Sequence, residues 1–248
     1  MTPFPHPRAA AAAALAVAMA LAALACDSGP PDPTLFRVPI EGVRGTDWYY
    51  GPLPNHASAV GEAEDYQCGE KAVQFRRTTD FLIPSFAAME AGVSVLAAAP
   101  GEVVEVLDEH PDRNLAYELG RPGNLVRIRH PDGIHSVYRH LKLGSVTVEE
   151  GDRVRAGDVI AAAGSSGDSD WPRLGFEAQD GSGEPFDPWA GACSGAVSLW
   201  ASQPDYPNDF AVVDGGTTDL RATLAMIAER PPDVTAFSRG EELTFWVH

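Results

Sequence analysis

The chain has 248 residues, of which 44% are hydrophobic and 21% charged, and its formal net charge is −17. This length and composition are typical of a globular protein with one large domain or two small ones. The acidic balance argues against nucleic acid as a partner, because phosphates require basic patches. The 24 glycines and 21 prolines are scattered, which favours many short strands over long helices.

Residues 1–25 have the pattern of an export signal. A short segment ending at Arg8 precedes an uncharged apolar run at 9–25, which is shorter than the ~20 residues of a membrane span. The run ends in Ala-Leu-Ala followed by Cys26, which resembles a bacterial lipobox in which the cysteine thiol is acylated. Ala23 and Ala25 also suit ordinary signal peptidase and free secretion. We therefore expect export to the bacterial cell envelope, with a lipid anchor on Cys26.

Two further cysteines are expected to form a disulfide. If Cys26 carries lipid, Cys68 and Cys193 remain as an even pair in an oxidising compartment, where disulfides persist. Two unrelated buried thiols are the alternative. A loop of this length would give a large entropic gain if the geometry permits the bond.

The segment 26–71 is interpreted as the anchor site, a Pro-rich tether at 27–36 and an irregular arm packed against a domain. From Ala72 the pattern is β throughout, with an alternating run at 72–83, two strands around Pro100-Gly101, a hairpin turning at 131–133, and three short strands within 146–167. No sustained helical period occurs between 72 and 190. This segment is predicted to be an antiparallel all-β domain, either a folded-over sandwich or a small barrel.

The composition changes after residue 190. Apolar residues at helical spacing predict a short helix over Thr218–Glu229, which Pro231-Pro232 ends. The remaining residues to His248 predict a hairpin. The segment 191–248 is therefore expected to be a small extension, with a second β module as the alternative.

The order of these motifs resembles the LytM/lysostaphin-type zinc metallopeptidases, which cleave peptidoglycan cross-bridges. The resemblance covers 72–190 and is carried mainly by "GNLVRIRHPDGIHSVYRHL" and "VTVEEGDRVRAGDVIAAAGSSG". It implies the antiparallel fold known as the duplicated hybrid motif. It also implies a zinc site built from an H-x-x-x-D segment and the second histidine of H-x-H. A Y-x-H-L histidine and the first histidine of H-x-H would assist the attacking water.

Three family positions are kept and three are substituted. Asp80, Tyr138 and His140 match the family pattern in "RRTTDF" and "YRHL". Arg76 stands where the first ligand histidine would be. In "PRLGFE", Arg173 replaces the assisting histidine and Gly175 replaces the ligand histidine.

These substitutions predict a site without metal and without catalytic residues. Catalytic zinc takes three protein ligands, arginine has no lone pair to offer, and glycine has no side chain. Asp80 is then the only matching ligand, and we expect no cofactor. On a regular strand Arg76 and Asp80 would face the same way, so an ion-pair cluster with Arg173 is expected. Two arginines merely solvated on a strand are the alternative.

The sequence thus predicts an exported, lipid-anchored and non-catalytic relative of these peptidases. Its expected partners are peptidoglycan or a cell-wall amidase, together with the membrane through Cys26, and not nucleic acid. The alternative from the enzyme class is an active zinc metalloendopeptidase that cleaves peptidoglycan peptides with an atypical ligand set; only then would zinc be a cofactor. A purely structural envelope lipoprotein is a third possibility.

Overall fold

The computed structural model describes residues 31–114, 120–195, 197–207, 215–218 and 244–247. The predicted signal segment 1–25, Cys26 and residues 219–229 of the predicted helix lie outside these ranges. A compact unit begins at Pro33. Within the described residues, none of the helical structure has the length and apolar character needed to span a bilayer.

The described residues form twelve strands and one short helix. The helix α1 is Phe86–Ala91. The strands are β1 Tyr49–Tyr50, β2 Thr79–Leu82, β3 Ser94–Leu96, β4 Gly101–Leu107, β5 Asn124–Arg129, β6 His135–Leu141, β7 Arg153–Val154, β8 Val159–Ala162, β9 Arg173–Gln179, β10 Pro185–Phe186, β11 Gly215–Thr218 and β12 Thr244–Val247.

The main sheet runs in the order β1-β2-β9-β6-β5-β4-β7, with β10 added beside β9, and every pairing in it is antiparallel. The sheet is not closed, since β1 and β7 end the order. The predicted antiparallel all-β fold is confirmed. The predicted hairpin is confirmed as β5 and β6, and the chain reverses at Pro131–Gly133, where the positive φ of 87° falls on a glycine.

A small second sheet packs on the main one. It consists of β3 and β8, which are antiparallel. Val95 and Ile160 of this sheet belong to the same buried cluster as Ile128, Leu174 and Phe176 of the main sheet. Burial of these faces is the dominant stabilising contribution, at about 25 cal/mol per Å² of apolar area.

The arm before residue 72 is integral to the domain. β1 pairs with β2 at the edge of the main sheet, and Ile40 bridges to Val95 in the small sheet. The predicted tether at 27–36 is wrong at its end, because Thr34 and Phe36 are buried. Phe36 packs edge-on against Phe176, with 5.2 Å between the ring centroids. A residue held in the core by such a contact cannot be part of a freely moving linker.

Three local expectations between 72 and 167 are wrong. The alternating run at 72–83 forms a strand only over Thr79–Leu82, because the chain turns at 74–75. The helix α1 was not expected; it forms because Ser85 caps it, accepting the Ala88 N–H, and Gly92 ends it at φ 95°. Only two strands, β7 and β8, occur where three were predicted.

The chain after residue 190 continues the packed core. Trp200 is buried and bridges to Phe36. The predicted disulfide between Cys68 and Cys193 is confirmed, with Cα atoms 5.2 Å apart, and it joins the arm to this segment. The expected terminal strand exists as β12, but its partner is β11. The other predicted arm of that hairpin lies outside the described residues.

A buried histidine connects the hairpin to the start of β4. His130 Nδ1 donates to the Pro100 carbonyl at 2.9 Å, and Nε2 lies 2.9 Å from Ser136 Oγ. The Ser136 hydroxyl is 3.1 Å from that of Tyr138, which accepts the Ala98 N–H at 2.7 Å. Burial lowers the pKa of His130, so the neutral ring is the form that suits the fold.

The protein should lose stability as the pH falls below about 6.5, the ordinary histidine pKa. The unfolded chain then binds a proton that folded His130 does not, so this group alone lowers the unfolding free energy by up to about 1.4 kcal/mol per pH unit. His140, whose pKa is also lowered by burial, adds a separate contribution to the slope. His130→Gln should reduce this slope by about that amount. Urea unfolding across this pH range measures it, with His135→Gln as the control. An unchanged slope in His130→Gln would contradict the expectation.

Candidate functional site

Three neighbouring strands bring the substituted and retained positions together. β9 lies between β2 and β6, so Gly175 is opposite Asp80 on one side and opposite Arg139 on the other. Arg173 is opposite Leu82, two residues further along. His140 follows Arg139 near the end of β6. The site is therefore a product of sheet register, since these residues are far apart in the sequence.

Asp80 is the centre of an ion-pair cluster. Its side chain has 0% exposure, and Oδ2 lies 3.2 Å from Arg76 Nη1 and 3.6 Å from Arg173 Nη1. Oδ1 accepts a hydrogen bond from Thr78 Oγ1 at 2.6 Å. A buried carboxylate is costly unless it is paired, so the two guanidinium groups supply the charge that burial requires.

The two arginines reach Asp80 differently. Arg173 projects from β9, and its side chain is only 8% exposed. Arg76 lies before β2, in a turn closed by the Arg76 N–H donating to the Val73 carbonyl. The expectation that Arg76 and Asp80 share a face of one regular strand is therefore wrong, although the ion pair is present. The turn, not strand parity, aims Arg76 at Asp80.

Gly175 marks the place of a missing side chain. A Cβ built on it would lie 3.2 Å from His140 Cδ2 and 3.6 Å from Asp80 Oδ1. Its backbone does not have the positive φ that would require glycine. A side chain here would therefore start beside both Asp80 and His140, and glycine supplies no ligand atom at this position.

His140 is held as a neutral acceptor next to the cluster. Its Nδ1 donates to the Ser166 carbonyl at 2.9 Å, which leaves the lone pair on Nε2. Burial, followed by the nearby Arg173 charge, lowers the pKa of His140 to about 3. Its φ of 61° is unusual for a non-glycine residue and costs on the order of 1–3 kcal/mol.

Tyr138 faces the core rather than this site. It is fully buried, it accepts the Ala98 N–H, and burial raises its pKa to about 12. Of the two retained residues on β6, Tyr138 is therefore a core residue and His140 a site residue.

The residues present do not fit a zinc ion. Catalytic zinc is held by three protein donors, and this cluster offers at most two, the Asp80 carboxylate and the His140 Nε2 lone pair. Asp80 Oδ1 accepts from Thr78, and Oδ2 faces the two arginines. Among the described residues, three potential ligands meet only at Glu64, Cys68 and Cys193. That group is also unsuitable, because both of its sulfur atoms are consumed by the disulfide.

A second polar cluster was not predicted. His56 Nε2 donates to Asp187 Oδ2 at 2.6 Å, joining residues 131 positions apart. Burial raises the pKa of Asp187, and the hydrogen bond from His56 opposes that rise. His56 lies in the irregular arm, and no sequence spacing relates it to Asp187.

Residues 85–188 match the sequence profile of Peptidase family M23. The match includes His140, Arg173 and Gly175 but begins after Asp80. The DD-carboxypeptidase/endopeptidase Mpg of Neisseria meningitidis is 44% identical over 69 residues, which are 28% of this chain and 15% of that protein. An uncharacterized metalloprotease of Haemophilus influenzae is 35% identical over 86 residues, which are 35% of this chain and 16% of that protein.

Among solved structures, the SpoIIIAH and SpoIIQ complex contains a chain with 20% sequence identity and a TM-score of 0.45. The alignment covers 62% of this chain and 96% of that one. The chain therefore spans only a small part of the curated relatives it matches, and most of the solved chain.

Removing the central carboxylate should be strongly destabilising. Asp80→Asn leaves the buried Arg173 charge uncompensated, and breaking such a pair costs about 3–5 kcal/mol. The double variant Asp80→Asn, Arg173→Leu should regain part of the loss, because it removes the unpaired charge as well. Arg129→Ala, which breaks an exposed pair with Glu102, is the matched control and should cost under about 1 kcal/mol. Equal losses in Asp80→Asn and Arg129→Ala, measured by urea unfolding, would show that the cluster does not stabilise the fold.

Proposed function

Residues 85–188 form a domain of peptidase family M23, and from this premise we propose that the protein is a non-catalytic member that binds cell-wall material instead of cleaving it. The observation that carries the proposal is the replacement of a metal by guanidinium groups. Arg76 and Arg173 both approach the single carboxylate that zinc would need, and Gly175 leaves the opposite ligand position without an atom.

The chemistry of the cluster supports inactivity. Hydrolysis in a zinc peptidase depends on a metal ion that polarises the carbonyl and lowers the pKa of a bound water. A guanidinium group is permanently protonated and cannot coordinate a water, so it cannot take the metal's place in lowering the pKa of an attacking water. His140 is left with no metal-bound water to assist, and its Nδ1 is held by Ser166.

The same cluster supports binding of carboxylates. Two guanidinium groups share one carboxylate at Oδ2, and the Arg76 side chain is 25% exposed. Arg76 can therefore offer its remaining N–H donors outward while Arg173, nearly buried, adds positive potential behind it. Asp170, 4.0 Å from Arg173 and half-exposed, offsets part of that charge. The ligands that fit are the free carboxylates of peptidoglycan stem peptides.

The proposal includes an envelope location. It rests on the apolar run at 9–25 and on Cys26 as a lipid attachment site, which would hold the domain close to the cell wall. The disulfide between Cys68 and Cys193 is consistent with an oxidising compartment. A cell-wall amidase is the protein partner that such a non-catalytic domain would regulate.

Restoring the missing donors should create a metal site. We expect the purified protein to contain no stoichiometric zinc and to leave cell-wall substrate intact in a zymogram. The triple variant Arg76→His, Arg173→His, Gly175→His should bind about one zinc per chain. Imidazoles at positions 76 and 175 would then complete a three-ligand set with the Asp80 carboxylate. Adding Asp80→Asn to the triple variant is the control and should lower the zinc content. Stoichiometric zinc together with lysis by the natural sequence would instead establish the atypical zinc endopeptidase.

Binding to the cell wall should depend on the arginines. Purified sacculi should retain the natural protein, and the double variant Arg76→Ala, Arg173→Ala should be retained less, because it loses the donors for carboxylates. The loss of one charge-assisted contact corresponds to about tenfold or more in affinity. Arg129→Ala is again the control. Equal retention of both proteins would reject the cluster as the binding site, and no retention at all would favour a purely structural protein.

A further inference from the structure

Two clefts lie side by side on the surface next to the arm, and Arg77 lines both. One, of about 420 Å³, contains His56, Phe186 and Asp187. The other, of about 180 Å³, contains Val60 and Phe75. Asn55, Ala57 and Ser58 of the arm also line both clefts. We call these residues together the Arg77 surface, and it is distinct from the Asp80 cluster.

Arg77 is an available cation. Its side chain is exposed, and it makes no hydrogen bond or ion pair with any residue that the structure describes. Its neighbour Arg76 is, by contrast, engaged with Asp80. In a chain with net charge −17, repulsion of an acidic partner is screened beyond about 8 Å at physiological salt, so a contact at Arg77 itself remains favourable.

The apolar part of the surface is unusually exposed. Phe75 is 79% exposed and Val60 is 87% exposed, and the two line the same cleft. Phe75 also has a φ of 66°, a left-handed conformation that a bulky side chain rarely adopts. Exposed apolar groups beside a polar rim are characteristic of protein interaction sites. Burial of these two side chains by a partner would be favourable.

His56 adds a group that recognises a peptide. Because Nε2 donates to Asp187, the neutral ring carries its lone pair on Nδ1, and no described residue bonds to that atom. Nδ1 can therefore accept a backbone N–H from an extended segment. An extended peptide with an acidic side chain supplies both a carboxylate for Arg77 and a backbone N–H for His56, so the combination favours a peptide.

We propose that the Arg77 surface docks a partner protein through an exposed peptide segment with a carboxylate next to an apolar side chain. The carboxylate pairs with Arg77, the apolar side chain packs on Phe75 and Val60, and a backbone N–H of the segment donates to His56 Nδ1. The proposal does not require the Asp80 cluster to bind any ligand. It therefore stands or falls independently of the proposed function.

The test selects ligands without assuming their sequence. Short random peptides displayed on phage are selected on the full-length protein, and synthetic copies of the enriched peptides are titrated by calorimetry. We expect enriched sequences with Asp or Glu beside Leu, Val or Phe. Replacing the acidic residue by its amide, or Arg77 by Ala, should weaken binding about tenfold or more.

Two further variants separate binding from folding. Arg153→Ala removes an exposed arginine at another cleft and should bind the peptides as the natural protein does. Phe75→Gly should weaken binding without lowering the thermal unfolding midpoint, because glycine accepts the positive φ that Phe75 adopts. The proposal is overturned if no acidic-apolar peptides are enriched or if Arg77→Ala binds them unchanged. It is also overturned if soluble peptidoglycan fragments displace them, which would make the surface a cell-wall site.

Discussion

A carboxylate with no exposure to solvent has to be paired with positive charge, and this constraint organises the centre of the protein. Asp80 lies on β2, between β1 and β9, and the charges that pair with it come from β9 and from the chain just before β2. Arg173 comes from the first source and Arg76 from the second. Both ion pairs of this one buried charge therefore depend on the sheet register and on the turn before β2.

A zinc ion and a guanidinium group can each supply the positive charge that a buried carboxylate needs, but their chemistry differs. Either can offset a buried carboxylate, while only the metal can bind and activate water. The proposed function therefore requires only that arginines at these positions preserve the strand framework while the metal chemistry is lost. Gly175 adds to the difference, because it offers no ligand atom at a position where a Cβ would lie 3.2 Å from His140 Cδ2.

Adjacent arginines on one turn have opposite environments. Arg76 is directed inward to Asp80, and Arg77 is exposed between two clefts that the arm completes. The arm is thus more than a cover for the sheet: it supplies strand β1 and the residues that face Arg77. The disulfide from Cys68 to Cys193 fastens the arm to the segment after β10.

The residue types alone determined that positions 76, 173 and 175 offer no metal ligand, because arginine has no lone pair to donate and glycine has no side chain. Alternation and turn residues also predicted the hairpin of β5 and β6, since a two-residue period is local. Only the tertiary structure decided how Arg76 meets Asp80, because a turn closed by Val73 replaced the expected strand. The pairing of His56 with Asp187 and the exposure of Arg77 also became evident only from the tertiary structure. Contacts between residues 131 positions apart depend on how strands and arm pack, and no local pattern encodes them.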